Sequence, residues 1–420
     1  MNIVVFEDGL HDNFYPISLT KPLWELRSGL YSFRERLELF ARKISDERFP
    51  VYYFTREHLA SYYRDKYPQL RINDYDVFRQ EKDILFLNAV KYPSEHDFKL
   101  DNNSAVVQGS VPVCARISAS RVAMPDNSIS AMIQALGLYS DEYDDAGRGP
   151  GERKANYIWE LVDWNNDIIK SDYMLSGLAG SPFTQKDVTI LGNDSHVCID
   201  DHVAIKPYVV IDATQGPVVI GSGTKIHSFT RIEGPCVIGR NCIIVGGKVR
   251  GGTSIGDYCR IGGEIEQSIF LGYSNKYHDG FIGHSYIGEW VNMGALTTNS
   301  DLKNDYSNVK VYTPDSRKKT GLKKIGCFMG DFVKTSIGTL INTGASIGPG
   351  VMIVHDGKLT PFHIPPFSWY INSSVIRLQS PDDFIDTCRA VASRRNVDLP
   401  DSFITLINTL YDMTSAGNVP

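Results

Sequence analysis

The chain has 420 residues, 42% hydrophobic and 22% charged, with a formal net charge of −6. This length exceeds one compact core and predicts two or three domains. No run approaches the roughly 18 apolar residues of a bilayer-spanning helix, and no Lys/Arg block stands out, which argues against a membrane-spanning helix and a nucleic-acid binder.

The first residues, NIVVF (2–6), form an apolar run suited to a buried parallel strand. They carry no basic n-region and lead directly into acids, which predicts a cytoplasmic chain without a secretory leader. Residues 30–44 place Leu30, Phe33, Leu37, Phe40 and Ala41 at helical spacing. A strand at VYYFT (51–55), a helix after Glu57 and a buried strand at DILFLNA (83–89) follow. Alternating strands and helices predict a Rossmann-like α/β domain over 1–180, with a parallel sheet covered on both faces. A helical connector is expected over 156–172.

From residue 191 the composition changes: 191–360 holds 26 of the 36 glycines. Aliphatic residues recur every sixth position, as Ile199, Ile205, Ile211, then Ile220, Ile226, Ile232, then Ile238, Ile244, then Ile255, Ile261, and later Ile287, Met293 and Ile341, Ile347. Neither a helix nor a simple strand has this period. It marks hexapeptide coils, three to a turn, each turning one aliphatic side chain into a narrow interior. The prediction is a left-handed parallel β-helix over 181–370. Residues 212–217 (DATQGP), 233–235 (EGP) and the polar 298–324 interrupt the count and read as loops leaving the coil, the last projecting outward over a neighbour or a ligand. A helical tail, 371–420, is expected to hold two helices between about 381 and 415, broken near Pro400. The seven cysteines are scattered and never in CxxC spacing, which predicts reduced thiols rather than a disulfide framework or a zinc site.

Four segments carry a family resemblance: EDGLHDNFYPISLTKPLWELRSG (7–29), FLNA (86–89), YIWELVDWNNDII (157–169) and GYSNKYHDGFIGHSYIGEWVNMGALTTNSDLKN (272–304). Together they resemble the divergent branch of the GlmU-like enzymes, which join a sugar nucleotidyltransferase to a hexapeptide-repeat acetyltransferase. The resemblance implies a bifunctional transferase that uses acetyl-CoA as acyl donor and Mg²⁺ for nucleotidyl transfer. It also implies a homotrimer acting on a sugar-1-phosphate and a nucleoside triphosphate, with UDP-N-acetylglucosamine or a related nucleotide sugar for cell-envelope polysaccharide as product. Neither nucleic acid nor membrane is expected as a partner.

In the β-helix the resemblance implies His278 as the base that takes the amine proton as nitrogen attacks the thioester, Asn292 as a sugar contact and Ala295 as a residue lining the acetyl-CoA channel. The charge of Lys276 suggests a substrate phosphate as its partner, and His284 is the rival base. Phe281 stands where familiar enzymes carry a substrate-contacting tyrosine, and Asn299–Leu302 lacks their Asn-Tyr pair. In the N-terminal domain Lys21 resembles the phosphate-binding lysine, and Arg27 and Gly29 continue the motif of the divergent branch. Glu7, Asp8 and Gly9 follow the first strand at the expected nucleotide position, where the two acids are also able to read a uracil or ribose edge. Asn88 takes the place of the usual metal-binding aspartate, so either Asp8 or Asp172 supplies the charge or catalysis has been lost. Three alternatives stay open: one functional half with the other degenerate, a non-catalytic sugar-nucleotide-binding scaffold, and a metalloenzyme of the γ-carbonic-anhydrase kind using His196, His202 and His227.

Overall fold

The computed structural model describes residues 1–45, 48–122, 124–125, 128–138, 141–142, 153–180 and 185–415. The first strand, β1 (Asn2–Phe6), is buried along its whole length. Helix α1 (Phe33–Ile44) starts three residues later than its apolar spacing suggests, because Ser32 and Glu35 form a reciprocal cap that fixes its first turn. β2 (Val51–Tyr53), α2 (Glu57–Lys66), β3 (Arg71–Ile72) and β4 (Ile84–Asn88) complete a parallel unit in the order β3-β2-β1-β4. β5 (Ser104–Gln108) and β6 (Val111–Ile117) then extend the sheet, and β6 runs antiparallel to both β4 and β5. The sheet is therefore mixed, where the alternation of strands and helices predicted a parallel one. The tight hairpin Gly109–Ser110 leaves no room for the crossover that a parallel partner needs.

The connector is two helices, α3 (Ile158–Asp163) and α4 (Asn165–Ser176), joined at Trp164. The domain boundary expected at 180 and 181 adjoins residues 181–184, which lie outside the described residues. Beyond them the chain winds into a left-handed parallel β-helix with three faces. On the first face Ile199, Ile220, Ile238, Ile255, Phe270 and Ile287 stack in register. The second stacks Ile205, Ile226, Ile244, Ile261 and Lys276, and the third Ile211, Ile232, Val249, Ile265 and Ile282. Apart from Lys276 and the partly buried Ile199, these apolar side chains form the sealed interior, and each contributes about 1.5–3 kcal/mol of burial.

The corner between the first and second faces carries Tyr258, Tyr273 and Trp290 in left-handed backbone conformation, with rings stacked 4.9 and 4.2 Å apart. The N-terminal domain and the tail helices α5 (Asp382–Ser393) and α6 (Asp401–Ser415) pack on this side, so one apolar core runs through all three parts. The 298–324 segment leaves the coil as expected but folds back on its own chain. It forms a hairpin, Lys310–Thr313 with Ser316–Lys319. Tyr312 of that hairpin stacks on His363 at 3.7 Å and meets Tyr15 of the N-terminal domain edge-on.

Candidate active sites

The corner between the second and third faces changes shape at one coil. In the two coils beneath it the chain rounds the corner as continuous strands through Gly246-Gly247 and Gly262-Gly263. In the next coil it widens into Tyr277–Gly280, and His278 stands exposed there. Glycine is required underneath: a Cβ on Gly262 would lie 2.2 Å from the Tyr277 carbonyl oxygen. The coil above ties down the same corner through a 2.9 Å bond from the Leu296 amide to the Asp279 carbonyl. That register sets Ala295 beside His278 in successive coils. Asn292 lies one strand along, exposed, with its side-chain oxygen accepting a 3.2 Å bond from Asn275. His278, Ala295 and Asn292 thus gather at one corner and its adjoining face.

Lys276 is elsewhere than its charge suggested. It occupies the interior position of the hexad, above Ile261, and is wholly buried. Its ammonium donates to the carbonyl oxygens of His278 and Asp279 from inside the prism. Burial pulls its pKa down to about 8, against an opposing pull from Asp279. No substrate phosphate reaches it there. His284 is also sealed: it is 6% exposed, and its Nδ1 lies 2.8 Å from Asp301. Phe281 lays its ring across Gly283, and Asn299 points inward, bonding both backbone groups of Gly283.

In the N-terminal domain the chain order reverses direction beside β1, since β2 and β3 lie on one side and β4 on the other. The carboxyl ends of parallel strands at such a switch point form a crevice suited to ligands. A cavity of about 380 Å³ opens there, lined by Glu7, Asp8, Gly9, His11, Arg56 and Ser128 among others. Gly9 faces open space. Asp8 is buried and fully engaged: one oxygen accepts from the Leu10 amide at 2.9 Å, and the other lies 2.7 Å from the Asn88 amide and 3.5 Å from the Lys154 ammonium. Glu7 accepts from the Leu23 amide at 2.6 Å and pairs with Arg56 at 3.0 Å, which holds the 16–26 loop in place.

The remaining expected residues are taken up in the packing of the two domains. Lys21 is buried between Glu289 at 2.8 Å and Asp331 at 3.0 Å, both from the β-helix. Burial alone would lower its pKa, but the two carboxylates hold it well above the ordinary lysine value. Arg27 lines the same interdomain cleft as Lys21 and Glu289, 3.5 Å from Glu35. Gly29 presses against α4, where a Cβ would fall 2.3 Å from the Asp172 carboxylate. Asp172 does not join Asp8 and Asn88: both its oxygens are bonded to Arg36 at 2.7 Å, and one also takes the Leu30 amide at 2.9 Å.

These residues do not assemble a Mg²⁺ donor set. Asp8 is the carboxylate that Asn88 bonds, and the Lys154 ammonium already neutralises it. Among the described residues no group of three or more His, Cys, Asp or Glu is placed to hold a metal ion, and His196, His202 and His227 form no such group. Two features escaped the sequence reading. Lys154, wholly buried against Asp8, gave no signal beyond a basic pair before the connector. Arg395 of the tail donates a 2.8 Å bond to Asn275, beside Asn292, from 120 residues away.

Residues 3–177 match the family described as sugar nucleotidyl transferase, and residues 217–249 match the bacterial transferase hexapeptide repeats. A bifunctional sugar-1-phosphate nucleotidylyltransferase/acetyltransferase of Sulfurisphaera tokodaii is 33% identical over 206 residues, covering 47% of this chain and 45% of that protein. YaiX of Escherichia coli K12, named as an uncharacterized acetyltransferase, is 32% identical over 157 residues, covering 37% of this chain and 68% of that protein. The bifunctional protein GlmU of Xylella fastidiosa is 28% identical over 219 residues, covering 48% and 45%. The chain spans about half the length of the bifunctional relatives it matches. The chain thus carries a domain of the sugar nucleotidyl transferase family followed by bacterial transferase hexapeptide repeats, and through its β-helix it belongs with YaiX to the hexapeptide acetyltransferases.

Proposed function

We propose that the His278 corner is an acetyl-CoA-dependent acetyltransferase site for an amino-sugar phosphate, with glucosamine-1-phosphate as the acceptor to test first. The observation that carries this reading is the meeting of an exposed imidazole with Ala295 and Asn292 on one widened corner. The amine nitrogen attacks the thioester carbonyl, His278 takes its proton, and the C–S bond breaks to release CoA thiolate, which recovers the proton. The product is an N-acetylated sugar phosphate. The same corner bears an apolar ridge: Tyr208 and Phe229 stack at 5.6 Å, and Leu296 and Ile337 are 61% and 73% exposed. A ridge of this kind is suited to covering by further copies of the chain about a threefold axis, and we read the working form as a homotrimer with acyl-CoA held between subunits.

The N-terminal crevice we assign to a sugar-1-phosphate and a nucleoside triphosphate, so that the two halves together yield UDP-N-acetylglucosamine or a related nucleotide sugar. A specific observation favours a second reading for this half. Asp8 is already satisfied by Asn88 and Lys154, and Lys21 by Glu289 and Asp331. A domain so neutralised fits nucleotide-sugar binding without transfer, and no step is assigned to a metal here. A product assay with both substrate pairs separates the readings. CoA release without pyrophosphate release indicates acetyl transfer alone; release of both supports the bifunctional enzyme. Absence of CoA release with amino-sugar phosphates contradicts the acetyltransferase reading.

A further inference from the structure

Outside the prism, the second face presents a column of outward side chains in strand register: Arg260, Asn275, Asn292 and Lys334. The tail lays Arg395 against this column through its bond to Asn275. The column therefore gathers three cations around two asparagines. Among the described residues none of Arg260, Lys334 and Arg395 takes part in an ion pair, and the buried Nε of Arg260 has no hydrogen-bond partner. This contrasts, in a chain with a net charge of −6, with the interdomain Lys21 and the core Arg36, each of which is matched by a carboxylate. Two guanidinium groups held close without an anion between them repel each other, and burial adds to the cost. Arg395 is lowered from the ordinary arginine value by burial first and by Arg260 second. Lys334 is likewise lowered by burial.

We propose that Arg260, Arg395 and Lys334, with Asn275 and Asn292, form a binding site for a phosphoryl group. Guanidinium groups offer paired N–H donors matched to phosphate oxygens, and the asparagine amides supply neutral donors. The site lies beside the corner that carries His278. Asn275 precedes His278 by three residues, at most about 10 Å of chain. A phosphate bound on the face would therefore leave the rest of its molecule within reach of the imidazole. This assignment rests on the acetyltransferase reading for its catalytic meaning, not for its existence. It replaces Lys276, which is enclosed, as the group that neutralises substrate charge. The phosphate comes either from the amino-sugar phosphate or from CoA, and the experiment separates the two.

Isothermal titration of the full chain with inorganic phosphate measures the site directly. The expected result is saturable binding that weakens by about tenfold or more in both R260Q and R395Q, the loss expected for a charge-assisted bond. R260Q leaves the tail contact untouched, so a folding defect in R395Q leaves the other variant informative. Steady-state kinetics then identifies the source. A rise of about tenfold in KM for glucosamine-1-phosphate, with KM for acetyl-CoA unchanged, assigns the site to the sugar phosphate; the reverse assigns it to CoA. If the chain releases no CoA with any amino sugar, the acetyltransferase reading fails while the titration still decides the site. No phosphate binding to the wild-type chain, or wild-type affinity retained in both variants, overturns the proposal.

Discussion

Lys276 reaches the carbonyl oxygen of His278 from the inside of the prism, so the exposed imidazole and the buried ammonium belong to opposite sides of one corner. The widened corner turns its carbonyl oxygens inward where the coils below have a plain strand. A lysine that donates to two of them satisfies what an isoleucine would leave bare. The folded-state pKa of about 8 lies below the 10.5 of a free lysine, because burial penalises the charge. Below about pH 8 the folded chain bears that penalty in full; as the pH rises toward 10.5 it loses the proton before the unfolded chain does. Chemical denaturation should therefore show stability rising across this window, and the rise should vanish in K276M.

Asp331 holds the two domains together from the β-helix side. It accepts from Thr20 at 2.7 Å and from the Glu289 amide at 2.7 Å, besides pairing with Lys21. Asp331→Ala leaves the buried Lys21 short of one carboxylate and should cost about 3–5 kcal/mol in equilibrium unfolding. Burial would raise the Glu289 pKa, but Lys21 and Lys66 outweigh it and hold the carboxyl below the ordinary 4.5. Its contribution is complete above that value and is lost as the pH falls below it. Glu289→Gln should remove that part of the acid sensitivity.

Asp172 was a candidate metal ligand by its place after the connector, but it forms a two-oxygen pair with Arg36 in the core. Asp172→Asn should lower stability by about 3 kcal/mol, since it strands a buried guanidinium whose Nη1 already lacks a partner. Unchanged unfolding with a specific loss of Mg²⁺ affinity would contradict this role.

His363 joins the N-terminal domain to the inserted hairpin. Tyr15 lies 2.8 Å from its Nε2, Tyr312 stacks on its ring, and burial pulls its pKa down to about 4. The neutral ring is favoured in the fold, so its contribution is present above the free value of 6.5 and is lost as the pH falls toward 4. Protection of the 309–320 hairpin amides, with the intrinsic pH dependence of exchange divided out, should fall over that range, and H363F should remove that fall.

The β-helix was legible because its interior admits one side chain per hexad. Ile199, Ile205 and Ile211 do lie on three successive faces. The same regularity hid Lys276, whose charge reads as a surface group although its position belongs to the interior column. The mixed sheet was missed because β6 has the apolar content of a parallel strand, and only the short Gly109–Ser110 turn reveals its direction. Lys21 and Asp172 look like ligand-binding charges in sequence, since their carboxylate and guanidinium partners lie 268 and 136 residues away. The hairpin at 310–319 has too few residues to show a period, and Tyr312 gave no sign that it would pack on Tyr15. The cationic face is assembled from four coils and the turn that follows the tail helix α5, so no single segment announces it.

The most direct measurement compares CoA release from acetyl-CoA and glucosamine-1-phosphate by the wild-type chain, H278A and H284A. The account predicts that H278A loses at least about a hundredfold in kcat, within the span of general-base catalysis, while its oligomeric state is retained. H284A, which removes a buried partner of Asp301, should lose stability while the folded fraction keeps its turnover. Full turnover in H278A would contradict the assignment of that corner as the acetyl-transfer site.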